Sequence, residues 1–357
     1  MSPSPVTAAV AARLDRFVDS IRSRSAEYGP DAQLFLDAAV RTLQGGKRLR
    51  ARFCHAGWLS AVADPTQDDE IWGLGAALEI FQSAALVHDD LIDNSDTRRG
   101  RPASHRALEH AHLDAGWHGD AQAFGRSAAI LLGDLLVAWS DDLLEETLLD
   151  HPHAAATRAE YALMRRDVTI GQLLDITEES AWSVNPPSAL LERALRVASL
   201  KSGRYSVTEP IVLGATLAGA DSTTLSALRA FGHPVGMAFQ LRDDVLGVFG
   251  DPDVTGKPAG DDLREGKRTA LIAITRERIT DAERSRLDEA LGDQGLDDDS
   301  IRALQRLIRE SGALDRVEGM ISDYTAAADD ALATAALNAE STAELREIAD
   351  AAISRSA

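Results

Sequence analysis

The 357-residue chain has a single cysteine, Cys54, and only four lysines against 33 arginines. One cysteine excludes an internal disulfide framework and fits a reducing, cytoplasmic setting. Positive charge is in deficit as well: the net charge of −20 argues against nucleic acid or an anionic membrane surface as a partner. Long apolar runs are missing. Met1 to Arg22 alternates Ala and Val with Arg and Asp, without the apolar core of a signal peptide. The run from Ala128 to Trp139 is short and interrupted by Asp134, so no membrane span is expected. Internal repeats, low-complexity tracts and interdomain linkers are also lacking, which leaves one domain over residues 1–357.

What is present reads almost throughout as helix. Ala, Leu, Arg and Glu dominate, apolar residues recur every three or four positions, and β-branched alternation is scarce. The pattern predicts helices over 6–27, 31–44, 48–63, 68–94, 103–113, 124–149, 154–178, 187–203, 205–219, 222–249, 269–276, 280–292, 298–312 and 314–354. Breaks fall at Gly29-Pro30, Gly45-Gly46, residues 114–123, Asn185-Pro186-Pro187 and the loop 250–266. The expectation is an all-α, single-domain bundle around a deep central cavity. Its motif-bearing core spans about 36–272, and amphipathic helices cover it from about 278 to 357.

The chain is organised around Leu78 to Arg106, LEIFQSAALVHDDLIDNSDTRRGRPASHR. An apolar helix with almost no polar face ends in Asp89, Asp90 and Asp93, then Arg98 and Arg99. Carboxylates at the mouth of a buried helix are costly to desolvate unless they are paired or hold a cation. Asp89 and Asp93 share one helix face and offer the hard oxygen ligands that suit Mg²⁺. Gly236 to Asp244 repeats the grammar: an apolar helix, Gln240, then Asp243 and Asp244, with Lys257, Asp261, Asp262 and Lys267 downstream. Two such helix ends, each followed by cations, suggest two carboxylate sets facing one another across a polyanion and several metal ions. Other Asp pairs, Asp261-Asp262 among them, read mostly as solvated faces.

One more stretch fits an anion site, and two others give weaker signals. RTLQGGKRLRAR puts Lys47, Arg48, Arg50 and Arg52 behind two glycines at a helix start, where backbone N–H groups also favour anions. KSGRY joins Lys201 and Ser202 to Gly203, a combination that can kink a helix and free a carbonyl. In GQLLD, Gly171, Gln172 and Asp175 are weaker signals, read as interhelical hydrogen-bond partners. All four lysines (Lys47, Lys201, Lys257 and Lys267) sit beside Gly, Ser or Asp in loop-like or helix-end motifs. A compact ammonium is a point-charge phosphate ligand, so each is a site candidate.

With GGKRLR, HDDLID plus RRG, LLGD, GQLLD, KSGRY, FQLRDD, GKP and DLREGK in that order, the chain resembles the trans-isoprenyl diphosphate synthases. The resemblance implies an all-α bundle, usually a homodimer, with three Mg²⁺ ions. It assigns metal ligation to Asp89, Asp93 and Asp243, with Asp90 in support. It gives isopentenyl diphosphate to Lys47, Arg50, Gln82 and Arg99, and the allylic diphosphate to Arg98, Lys201, Lys257 and Lys267. Ser202 and Gln240 match polar groups near the developing allylic cation. Three positions depart from the pattern: Gly247 stands for the usual third Asp of the second acidic motif, Ser202 for Thr, and Ala51 for Pro. A class I terpene cyclase would need a different second metal motif and would lack GGKRLR. A non-catalytic prenyl synthase subunit tends to lose the first Asp motif, which is intact.

Product length is read along the first acidic helix. In the family the residues four and five before the first Asp gate the cavity; here they are the small Ala85 and Ala84. Phe81 lies about 4.5 Å deeper, close to one isoprene unit. The expected main product is geranylgeranyl diphosphate, with farnesyl or longer products as the alternative.

Overall fold

The computed structural model describes residues 4–66, 69–251 and 260–354. The bundle is built on α4 (Asp69–Ile92), which packs along α6 (Ala121–Thr147) and is flanked by α1 (Pro5–Arg24), α3 (Leu49–Leu59) and α5 (Ser104–Asp114). The short α2 (Gly29–Thr42) leads into the Gly45-Gly46 loop, where both glycines take positive φ. Helix α4 is apolar on nearly every side because it is enclosed on nearly every side: Leu74, Leu78 and Ile80 are fully buried. Among the described residues only α4 is long and apolar enough to cross a membrane, and 72% of its most apolar window is buried in the molecule, as in a core helix.

The second half of the bundle begins with α7 (Ala154–Ala181) and α8 (Pro187–Val197). An expected break at Arg204 does not occur. The chain runs on through a π-helical segment, Ala198–Thr208, into α9 (Glu209–Leu217), so two expected helices form one rod. A wide π turn is uncommon and recurs at functional sites; here it carries Lys201 and Ser202. Pro210 enters where α geometry resumes. Helix α10 (Ser222–Phe249) crosses the π segment at two facing glycines: a Cβ on Gly236 would lie 2.4 Å from the Gly203 carbonyl oxygen.

The C-terminal part holds α11 (Asp261–Glu265), α12 (Ala270–Arg278), α13 (Asp281–Ala290), α14 (Asp298–Glu310), α15 (Ala313–Thr334) and α16 (Ala339–Ile353). The single helix expected over 314–354 is two. Asn338 restarts the chain by accepting a hydrogen bond from the Ser341 N–H at 2.8 Å, a helix cap hidden in an Ala-rich stretch. Two apolar cores result, one among α1–α7 and one from α8 onward. Helices α3 and α9 feed both. Cys54, Leu213 and Leu217 face the first; Phe53, Ile211 and Ala215 face the second. They can approach closely because glycine meets backbone at the crossing: a Cβ on Gly57 would lie 2.0 Å from the Ile211 carbonyl oxygen, and one on Gly214 1.8 Å from that of Cys54.

Between α4 and α5 lies a hairpin that helical periodicity does not reveal. Thr97–Arg98 (β1) pairs antiparallel with Arg101–Pro102 (β2) around the two turn residues Arg99 and Gly100. Both have positive φ, 53° and 69°, as a tight primed hairpin turn requires. Gly100 adopts it freely. Arg99 does so at a cost of order 1 kcal/mol or more, an expense usually found at functional sites.

Candidate active site

The end of α4 is a junction of opposite charges. Asp89 accepts from Lys201 at 3.0 Å and from Gln172 of α7 at 3.3 Å, with the Arg98 guanidinium 3.6 Å away. Lys201 also binds Asp175 at 2.6 Å. One turn on, Asp93 meets Lys267 at 3.1 Å, and Lys267 meets Glu265 at 2.9 Å. Glu265 accepts in turn from Ser95 at 2.9 Å, which ties the exit of α4 to α11. Burial by itself would raise the Asp89 carboxyl, but Lys201, Lys267 and Arg98 together hold it far below the usual carboxylate range. Asp93 is the opposite case. Burial, helped by Asp89 and Glu265, outweighs Lys267 and Lys201 and raises its carboxyl. Two like charges on one face, one of them unfavourable, form a donor set that a second cation would relieve. The set is all oxygen, which fits a hard divalent ion such as Mg²⁺.

Asp90 points elsewhere. It is buried, and Arg98 grips it through Nε at 2.7 Å and through Nη2. Burial costs Arg98 charge stability, yet Asp90 and Asp89 raise its guanidinium overall. Arg98 is thereby committed to the acidic end. Arg99, across the turn, lies against the glycine loop, its Nη2 3.2 Å from where a Gly46 Cβ would be. Burial and the nearby Arg48, Arg98 and Arg50 lower its guanidinium, with Glu79 opposing. A cation crowded by cations is a seat prepared for an anion. Glu79 keeps this group in place from within α4: it holds Arg48 at 3.4 Å and accepts from the Ala51 N–H at 3.3 Å. Arg48 itself is left-handed, at φ 50°. A cavity of about 380 Å³ adjoins, with Gln44, Gly45, Ser83, Arg98 and Arg99 among its lining residues.

A third group links the anion seat to the apolar interior. Arg50 donates to Ser206 at 2.7 Å and lies 4.2 Å from the centre of the Tyr205 ring. The Tyr205 hydroxyl donates to Gln82 at 2.8 Å. Phe81 meets the rings of Tyr205 and Tyr161 edge-on at 5.7 and 6.4 Å.

A polyprenyl synthetase family model matches residues 32–308. The chain belongs to this family. Its relatives include a geranylfarnesyl diphosphate synthase of Aeropyrum pernix, 33% identical over 79% of this chain and 82% of that protein. A (2E,6E)-farnesyl diphosphate synthase of Mycobacterium tuberculosis is 31% identical over 87% of this chain and 80% of that protein. Among solved structures, a geranylgeranyl pyrophosphate synthase of Corynebacterium glutamicum, complexed with isoprenyl diphosphate and magnesium, superposes with a TM-score of 0.91 at 37% identity, with both chains covered completely. The all-α architecture is therefore that of the isoprenoid synthases, and the chain is a prenyltransferase.

In this polyprenyl synthetase family member Asp89, Asp93, Arg98, Lys201 and Lys267 come together, while Arg99 lines the adjoining cavity and Arg50 and Gln82 meet at Tyr205. Lys47 is exposed in the glycine loop, and Ser202 is half-buried in the π segment. Lys257 lies outside the described residues. Gln240 hydrogen-bonds not to Asp243, its neighbour three positions on, but to the buried Asp244, four on, at 2.7 Å; Asp243 is exposed. Of the two gate alanines Ala85 is half-buried, whereas Ala84 is sealed in the core at 1% exposure. The helix phase decides this, since 84 falls on the α4 face opposed by other helices.

Several participants were weaker in the sequence. Gln172 and Asp175 are the interhelical partners expected of GQLLD, and a Cβ on Gly171 would lie 2.4 Å from the Lys201 backbone nitrogen, so the third member of the motif allows the helices to approach. LLGD resolves similarly: the His88 ring fills the space of a Gly133 side chain, with Nε2 3.3 Å from the Ile130 carbonyl oxygen and 3.7 Å from Asp134. Glu79, Ser95, Tyr205 and Glu265 were not anticipated. For Glu79 the signal was a lone carboxylate inside the apolar run of α4.

Proposed function

We propose that the enzyme condenses isopentenyl diphosphate with an allylic diphosphate in the presence of Mg²⁺, three ions per site, and that its main product is geranylgeranyl diphosphate. The observation that carries this reading is the division of cations at the hairpin. Arg98, Lys201 and Lys267 gather on the carboxylates of α4, and Arg99 and Arg50 gather beside the glycine loop, which provides two seats for two anionic substrates. Asp89, Asp93 and Asp243 would hold the metal, which supplies positive charge to the departing diphosphate. The residues do the rest. Lys201, Lys267 and Arg98 are charged at all physiological pH values and take up negative charge as the allylic C–O bond breaks. Arg50, Arg99 and Gln82 orient the second substrate so that its alkene meets the allylic cation. The surrounding apolar wall excludes water. The released diphosphate is the base that removes the proton.

Product length is assigned to Phe81, with Ala85 leaving space above it. Phe81 is braced by two tyrosines whose hydroxyls are themselves hydrogen-bonded, a rigid floor for a growing chain. A homodimer fits the exposed Ile130 and Leu131 of α6, large apolar side chains that are 50% and 60% accessible. One domain over the whole chain fits the sharing of α3 and α9 between both cores, and a cytoplasmic setting fits the single buried thiol.

Purified enzyme given isopentenyl diphosphate, each short allylic starter and Mg²⁺ should form a twenty-carbon diphosphate; no elongation by the protein alone would sink the proposal. Phe81→Ala should shift the chromatographic product profile by at least one isoprene unit. An unchanged spectrum from a folded variant would show that Phe81 is only core.

A further inference from the structure

The π-helical segment Ala198–Thr208 ends on a wide turn, closed by a backbone hydrogen bond from the Glu209 N–H to the Arg204 carbonyl. The side chains of the same two residues are paired. Arg204 donates to Glu209 Oε1 through Nη2 at 3.0 Å and through Nε at 3.2 Å. In an α-helix, residues five apart lie about 140° round the axis, and only those three or four apart face one another. A π turn closes between residues five apart and brings them together. The Arg204–Glu209 pair therefore fits the wide register and not the ordinary one.

The pair sits where a charge is costly. Glu209 is buried, and its Oε2 has no hydrogen-bond partner among the described residues. Burial, helped by Glu160, raises its carboxyl against the pull of Arg204 and Arg229. A leucine would fill such a space without that cost, and the best-attested use of a buried ionic group is to fix register. Asp167 of α7 anchors the outer end of the pair, 2.7 Å from Arg204 Nη1. Pro210 acts in the same direction. In an unbroken α-helix its ring would press on the carbonyl of Ser206, four residues back, and the wide turn relieves that clash.

Register matters because the segment serves two groups at once. Lys201 reaches Asp89 and Asp175, whereas Tyr205 meets Gln82 and Arg50, and Ser206 accepts from Arg50. A return to α spacing would rotate the first group against the second. We propose that the Arg204–Glu209 pair is a register lock, which holds the π turn and so aligns Lys201 with Arg50. Arg204 and Glu209 are positioning residues that act through those two. The catalytic consequence rests on the reading of Lys201 and Arg50 as substrate ligands; the lock itself does not.

Three variants test it: Glu209→Leu, Glu209→Gln, and the swap of Thr208→Glu with Glu209→Thr. Each is compared with the parent by hydrogen–deuterium exchange of residues 198–209, thermal melting and steady-state kinetics. Leucine fills the buried space but accepts nothing from Arg204, which Asp167 still holds, so melting should change little. Amide exchange across 198–209 should rise at least about tenfold. The kcat should fall at least about tenfold while each KM stays within about threefold, because Lys201 and Arg50 keep their charges and lose only their alignment. Glutamine keeps the acceptor oxygen and should stay within about threefold of the parent in amide exchange and kcat. The swap offers Arg204 a carboxylate four residues on, at α spacing, and should behave as Glu209→Leu. A leucine variant with parental exchange and turnover would overturn the lock. So would a glutamine variant as impaired as the leucine one, or a swapped variant that behaves as the parent. If the parent elongates no prenyl chain, the catalytic reading fails, and amide exchange alone decides the lock.

Discussion

Asp89→Ala should lower kcat by at least about a thousandfold, some 4 kcal/mol in the barrier, while leaving the protein folded. Asp89 is the one carboxylate on α4 that Lys201, Gln172 and Arg98 all approach, and cations keep it ionised although it is largely buried. On the proposed function its removal takes away a ligand for the metal, and it also releases Lys201 from one of two acidic contacts. Asp175 still holds that lysine at 2.6 Å, so no buried ammonium is left unpaired, and stability should change little. Steady-state turnover with both substrates and saturating Mg²⁺ measures the effect. Turnover near that of the parent enzyme would contradict the metal role.

Gly214→Ala should be the most destabilising single-methyl change, by about 3 kcal/mol in urea denaturation. Alanine favours a helix over glycine by about 1 kcal/mol, so propensity alone predicts a gain. The crossing decides otherwise. The added carbon would lie 1.8 Å from the Cys54 carbonyl oxygen and 2.9 Å from the Trp58 nitrogen, and both are backbone atoms that cannot rotate away. Relief requires α3 and α9 to separate. Since these helices feed both apolar cores, the cost is felt on two sides. It would reach the site as well, because α3 carries Arg50 and the rod ending in α9 carries Lys201 and Tyr205. An unchanged denaturation midpoint would show that the crossing is looser than its geometry indicates.

The helical nature of the chain and the composition of its site were legible because both depend on residue type and spacing. Carboxylates at the end of the first apolar helix, a basic segment after two glycines and two of the scarce lysines, Lys201 and Lys267, marked positions that converge. Direction was harder to read. Asp89, Asp90 and Asp93 form one motif, but successive helical residues point about 100° apart, which sends Asp90 to Arg98 and away from the face shared by the other two. The same geometry turns Gln240 to Asp244. The continuity of residues 187–217 was hidden because Gly203 resembles a helix break; here it makes room for Gly236 inside a π segment.

The arginine doublet at the hairpin has a consequence for how the two substrates are told apart. Both are diphosphates, and charge alone would let either take either place. In the tight turn Arg98 and Arg99 are neighbours in the chain but back onto different walls, one fixed by Asp90 and the other lodged against Gly46. The turn thus acts as a partition between two berths, and each face of the partition has its own guanidinium. On the proposed function, sorting donor from acceptor would be a matter of address: the head group beside the acidic helix ends would be the one made to leave, and the one beside the glycine loop would stay. Insertion of one uncharged residue between Arg98 and Arg99 would disturb both addresses without changing a single charge.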